Sequence, residues 1–375
     1  MKLLNRPFAE VRELCRGAGR QPHTKAAPYN QPAISPSSFK WSARPRPKHG
    51  QVTRRGFLSA VSLAGAGFSM CGLSSSAAVA AGETQPYGPK SVVPIYFFTK
   101  PLDGFETEFI ADTVAEAGFN GVDVTVRPGG KIVPERVQSE LPKFAELIRG
   151  RNLNVKMMVT SITGTESPHA EQILNTASQV GIRYYRLGYL DYDFRAGITR
   201  SLKKHNAALK QLAEWNQKYS IQAGYHNHAG TSVGAAVWDL RELLREIPVD
   251  QVSVQYDVRH AVAEGANSWI VGLRLLRPRI GSLAIKDFKW DFSSRRSRIA
   301  NVPLGTGIVD FDAYFRLVKE LGIHSPLSLH IEYPLLSRMQ AGLSLLEKQR
   351  IITAKLRADS AYLRSQLATH HITEP

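Results

Sequence analysis

The chain has 375 residues, 43% of them apolar, enough for one large globular domain with a sizeable core. Its formal net charge of +16 is concentrated at the front: residues 1–80 carry 12 Lys and Arg against 2 Asp and Glu, and the remainder carries 36 against 30. Without a basic run after residue 80 the sequence offers no nucleic-acid-reading face, and with both cysteines (Cys15 and Cys71) in the leader the rest has neither disulfides nor thiolate metal sites.

Residues 1–50 mix Pro, Ser, Arg and Lys without apolar periodicity and read as a disordered basic leader. Residues 51–82 read as a signal peptide of the twin-arginine kind. Arg54-Arg55 precedes an apolar stretch over 60–73, too short for a stable membrane span, and Ala78-Val79-Ala80 offers a cleavage site. The expected partner during export is the twin-arginine translocase, and the expected location is periplasmic or otherwise extracytoplasmic.

Over 90–370, β-rich runs alternate with amphipathic segments, the pattern of βα units around a parallel sheet. Strands are expected at 92–98, 121–126, 155–161, 184–189, 221–228, 252–257, 280–288 and 327–333. Helical patterns fall at 106–117, 202–219, 238–247 and 311–321, with one or two closing helices over 344–368. Gly118, Gly181 and Gly322 stand where helices should stop. Eight strands in about 250 residues is the cadence of a single-domain (β/α)8 TIM barrel. A doubly wound sheet is the alternative, but no G-x-G-x-x-G follows the first strand.

Chemistry in such a barrel gathers where strands end. The expected ends carry Arg127, Arg186, His226-Asn227-His228, Asp257 with His260, Lys286-Asp287 followed by Trp290, and His330-Ile331-Glu332. Strand alternation points His226 and His228 the same way, and likewise Ala284 and Lys286. Each alone has a bland role: an Asp caps a helix, a His bonds structurally, an Arg neutralises a buried acid. Converging from neighbouring strands, imidazole and carboxylate suit a divalent ion that polarises a carbonyl.

These segments resemble the sugar isomerase/epimerase superfamily, the xylose-isomerase-like TIM barrels, over about residues 92–336. The resemblance rests on Gly121-Val122-Asp123, the histidine-rich fifth strand end, Asp257-x-x-His260, Lys286-Asp287 and Glu332-Tyr333. It implies a metal held by Glu, Asp, His and Glu on strands five to eight. Asp257 and Glu332 match two of these positions, whereas His226 and Ala284 stand where a Glu and a His are usual. The ligands expected here are therefore His226, Asp257 and Glu332, holding a divalent ion (Mn, Co, Zn or Mg undistinguished).

The implied activity is proton removal beside a carbonyl of a sugar or keto-sugar, giving an epimer, an isomer or an elimination product. Glu332, His226 and Lys286 are the expected catalytic residues. His260, Arg186, Arg127, His228 and Trp290 are the expected substrate contacts. The departures keep two alternatives open: a metal-free 3-keto-glycoside lyase or hydrolase using Lys286 and Arg186 as cations, and a non-catalytic carbohydrate-binding barrel. An apurinic-endonuclease-like phosphodiesterase shares the fold but wants a larger histidine-rich site. Oligomeric state is not readable.

Overall fold

The computed structural model describes residues 93–293, 295 and 297–373. The disordered leader and the signal peptide expected before residue 83 lie outside the described residues.

The strands are β1 (Ile95–Phe98), β2 (Gly121–Val126), β3 (Asn154–Thr160), β4 (Tyr184–Arg186), β5 (Gln222–His226), β6 (Val252–Asp257) and β7 (Ile280–Ile285). A hairpin of β8 (Asp287–Asp291) and β9 (Arg298–Val302) follows, then β10 (Leu327–Leu329). All but the hairpin close into a barrel in the order β1-β10-β7-β6-β5-β4-β3-β2, every neighbouring pair parallel. This is a (β/α)8 TIM barrel.

The strand sequences show why the sheet closes. In β2, Val122, Val124 and Val126 join the hydrophobic core while Asp123 and Thr125 are buried on the other face. In β6, Val252, Val254 and Tyr256 alternate with buried Ser253, Gln255 and Asp257. With a period of two, these strands have one apolar and one polar face, both removed from water. Helices cover the apolar face, and closure turns the polar face inward.

The helices are α1 (Thr107–Glu116), α2 (Val137–Arg149), α3 (Ala170–Gln179), α4 (Ile198–Lys218), α5 (Asp239–Leu243), α6 (Val258–Gly265), α7 (Trp269–Leu276), α8 (Phe311–Glu320) and α9 (Leu345–Thr369). Helix α8 shows how they seat. Phe311, Tyr314, Phe315 and Val318 form one buried stripe, and the Asp310 carboxylate accepts from Ala313 N at 2.9 Å at its start. Gly118 and Gly322 follow α1 and α8 with φ of 81° and 62°, a left-handed stop that a Cβ would oppose. The closing segment is one helix, α9, opened by a Ser344–Glu347 capping box and packed on α1 and α8. Among the described residues no helix is long and apolar enough to cross a membrane.

Five elements depart from expectation; two are strands that stop early, β4 at Arg186 and β10 at Leu329, short of 189 and 333. The strand expected over 280–288 stops at Ile285, and the chain turns at Lys286 into the β8–β9 hairpin. The fifth strand stops at His226, so alternation no longer fixes the direction of His228. The helix expected over 238–247 is the five-residue α5, which buries Leu240 and Leu243 and leaves Trp238 exposed.

Candidate active site

The inward faces of β5, β6, β7 and β10 converge at their C-terminal ends on Asp257, which is wholly buried. A side-chain amide holds its backbone. Asn227, just past β5, accepts through Oδ1 from Asp257 N at 2.7 Å and donates through Nδ2 to its carbonyl at 2.9 Å, standing in for the next rung of the ladder. The carboxylate does two jobs. Its Oδ1 accepts from His260 N at 2.9 Å and so caps α6, while Oδ2 faces the barrel interior.

Three groups gather at that second oxygen. His226 Nε2 lies 3.1 Å away, Lys286 Nζ 3.2 Å and His260 Nε2 3.9 Å. Burial raises the Asp257 pKa, but Lys286, His260 and His226 outweigh it and hold the carboxyl well below the usual range. Lys286 also reaches Glu332 Oε2 at 3.4 Å, and Lys100 approaches the other Glu332 oxygen at 3.7 Å. Burial pushes Glu332 up too, yet Lys286 and Lys100 keep it below its ordinary value, hence ionised. Two acids that would otherwise repel share one buried ammonium.

The imidazoles are neutral. Burial, far more than the opposing pull of Asp257, pushes His226 down to about 3 and His330 well below its ordinary value. His226 therefore carries its proton on Nε2, toward Asp257, with Nδ1 facing the Tyr189 hydroxyl at 3.5 Å. His260 Nδ1 accepts from Ala229 N at 2.9 Å and lies 2.8 Å from Arg259, which leaves the proton on Nε2. His330 is stacked on Phe98 at 4.3 Å between ring centroids, and neither of its buried nitrogens has a partner.

That orphaned ring bears on metal binding. One donor atom each from His226, Asp257 and His330 lie within 4.8 Å of one another, all buried. Two neutral imidazoles and an ionised carboxylate fit a divalent ion. Glu332, expected as the third ligand, lies outside this cluster, bridged instead by Lys286 and Lys100, and His330 is the third member. His330 was legible: it lies two residues before Glu332, on the same alternation as Ser328, and its N–H bonds Ile285 O at 2.9 Å, keeping it in register beyond β10. Ala284, where the resemblance expects a histidine, is fully buried and pairs in register with Asp257 and with Ser328.

The other expected contacts divide. Arg186 is buried, its guanidinium over the Tyr189 ring at 5.1 Å and donating to the Tyr189 hydroxyl at 3.2 Å. Arg127 is half-buried at the end of β2. His228 lies in the loop after β5, its Nδ1 2.8 Å from Ala229 O and its ring 3.9 Å from that of His260. Trp290 is on the hairpin, half-exposed and edge-on to Phe288 at 5.4 Å, without a recorded contact to the Asp257 cluster. A cleft of about 390 Å³ lined by Lys100, Pro101, Phe105, Tyr333 and Leu335 reaches Glu332.

Residues 111–349 match the model of the xylose isomerase-like TIM barrel family. The chain belongs to this family. None of the curated proteins matches it. Similar solved structures include a xylose isomerase domain protein from Planctomyces limnophilus, 15% identical over 76% of this chain and 99% of that one, with a TM-score of 0.54. The 3-keto-D-glucoside 4-epimerase of E. coli is 15% identical over 73% of this chain and 99% of its own, with a TM-score of 0.54. A D-allulose 3-epimerase from Methylomonas sp., in complex with D-allulose, is 14% identical over 74% and 99%, again at 0.54. At these identities the likeness is one of fold.

Proposed function

We propose that this family member is an exported enzyme of the sugar isomerase/epimerase type that moves a proton on the carbon beside a carbonyl of a sugar or keto-sugar. The observation that carries the reading is the pairing of Glu332 and Lys286. A carboxylate kept ionised in a partly dry cleft is a base, and a buried ammonium 3.4 Å from it is placed to stabilise the enolate oxygen that proton removal creates. Asp257 holds Lys286 from the other side at 3.2 Å. His260, its proton on an Nε2 that has no partner, offers a hydrogen bond to a substrate oxygen in the same space, while the His226 Nε2 proton is held by Asp257. The epimerases among the similar structures support the reaction class, and the twin-arginine pattern at 51–82 supports export.

His226, Asp257 and His330 would hold a divalent ion, which when bound would polarise the carbonyl as a Lewis acid. The test is turnover of a panel of ketoses, 3-keto-glycosides and keto-sugar acids by the purified protein, read by chromatography. Glu332→Gln should lower kcat by about 100- to 10,000-fold with a native unfolding midpoint. Turnover unaffected by that change would remove Glu332 as the base. No turnover of any sugar, by a folded protein supplied with divalent ions, would leave the carbohydrate-binding reading.

A further inference from the structure

The charges around the barrel mouth do not balance locally. Asp257 and Glu332 are taken up by Lys286 and Lys100. Three guanidinium groups remain, Arg127, Arg186 and Arg259, and none has an ion-pair partner among the described residues. Arg259 is held by both terminal nitrogens, although its Nε is buried without a partner: it donates to Asn301 Oδ1 on β9 at 2.7 Å, sits 2.8 Å from His260 Nδ1 and lies over the Phe288 ring. Arg186 is not. It is only 6% exposed, its Nε is buried with no partner, and one neutral phenol hydroxyl is its sole recorded side-chain hydrogen bond.

An isolated buried cation is costly unless something neutralises it. The nearby buried acid, Asp123, feels the charge of Arg186 but makes no ion pair with it. Asp123 accepts from Ser328 Oγ at 2.6 Å, and its other oxygen has no partner. A second guanidinium sharpens the point. Arg127 ends β2 and Arg186 ends β4, on either side of β3, and no recorded side-chain hydrogen bond uses Arg127. Their charges repel across the end of β3: burial and the charge of Arg186 lower the Arg127 pKa, with Asp103 and Asp123 pulling the other way. The same region touches the reaction centre, because the Tyr189 hydroxyl bonded to Arg186 lies 3.5 Å from His226 Nδ1.

We infer, on the strength of the sugar-enzyme reading above, that the sugar taken by this site carries an anionic group, a carboxylate or a phosphate, which Arg186 and Arg127 hold. Arg186 supplies a buried fork of donors next to the reacting carbon, and Arg127 closes on the anion from the half-exposed side. Lys286, three strands round the barrel on the far side of His226, keeps the carbonyl end. The two ends of the substrate are thus told apart by charge, which fixes the face presented to Glu332.

Calorimetric titration of the full-length protein with D-glucuronate, glucose 6-phosphate and D-glucose tests this. At least one acidic sugar should bind about tenfold tighter than D-glucose at low salt, and which one it is identifies the anion. Arg186→Gln should erase most of that difference. Should Arg186→Gln fail to fold, the half-buried Arg127→Gln should still reduce it. D-glucose binding as tightly as both acids, or a preference that survives both changes, would overturn the inference and leave the sugar reading standing. A folded protein that binds none of the three would overturn the inference, and the sugar reading then falls or stands on the separate turnover panel.

Discussion

Lys286 and a divalent ion would compete for the same oxygen, Asp257 Oδ2, and this is the most consequential fact at the residue scale. The ammonium already lies 3.2 Å from it, and a second cation beside a buried first is repelled strongly at low effective dielectric. The His226, Asp257 and His330 donors should therefore hold metal more weakly in the wild type than they would without the lysine. Lys286→Met keeps much of the shape and removes the charge, so retention of Mn, Co or Zn should rise by about tenfold. Metal content by mass spectrometry after identical dialysis reads this directly, without reference to turnover. Unchanged or weaker retention in Lys286→Met would show that the lysine and the ion do not share a place. Asn227, the residue that pins the Asp257 backbone, was not legible: lying between two histidines, it has the side chain of an ordinary loop residue, and its role follows only from the register of β5 on β6.

At the element scale the Lys286-Asp287 pair splits into two jobs. Lys286 faces the barrel interior, whereas Asp287 starts the hairpin and organises the loop behind it. Its Oδ1 accepts from Phe288 N at 2.8 Å and Val309 N at 3.2 Å, and its Oδ2 from Gly305 N at 3.1 Å and Gly307 N at 2.8 Å. Gly305 has a φ of 74°, and a Cβ at Gly307 would meet the Asp287 carboxylate at 2.0 Å, so the loop is shaped around that side chain. Asp287→Ala leaves four amides without an acceptor and should cost about 3 kcal/mol in urea unfolding, with Asp287→Asn losing less. A loss below about 0.5 kcal/mol would show that water replaces the carboxylate. The sequence did not show where β7 ends, because Phe288 and Trp290 carry the apolar pattern past Lys286-Asp287 and no Gly or Pro marks the turn. The break comes from these distant amides, which draw Asp287 out of the barrel.

For the whole molecule, closure was legible because it is written locally: eight β-rich runs alternate with amphipathic segments, some ended by stop glycines, and each unit can be read without the others. The convergence on Asp257 was legible in part, since polar residues at strand ends declare themselves. What each side chain touches was not, because the Lys286 bridge joins residues 29 and 46 positions away along the chain. The account's central claim is that Glu332 removes a proton beside a carbonyl while Lys286 steadies the oxygen. Its most direct test is hydrogen exchange in heavy water: the wild type and Glu332→Gln are incubated with the panel of keto-sugars and keto-sugar acids, and deuterium is located by NMR. The account predicts deuterium on the carbon beside the carbonyl of the substrate or product with the wild type, and its loss in Glu332→Gln. Turnover by the wild type without any uptake of solvent deuterium would contradict it.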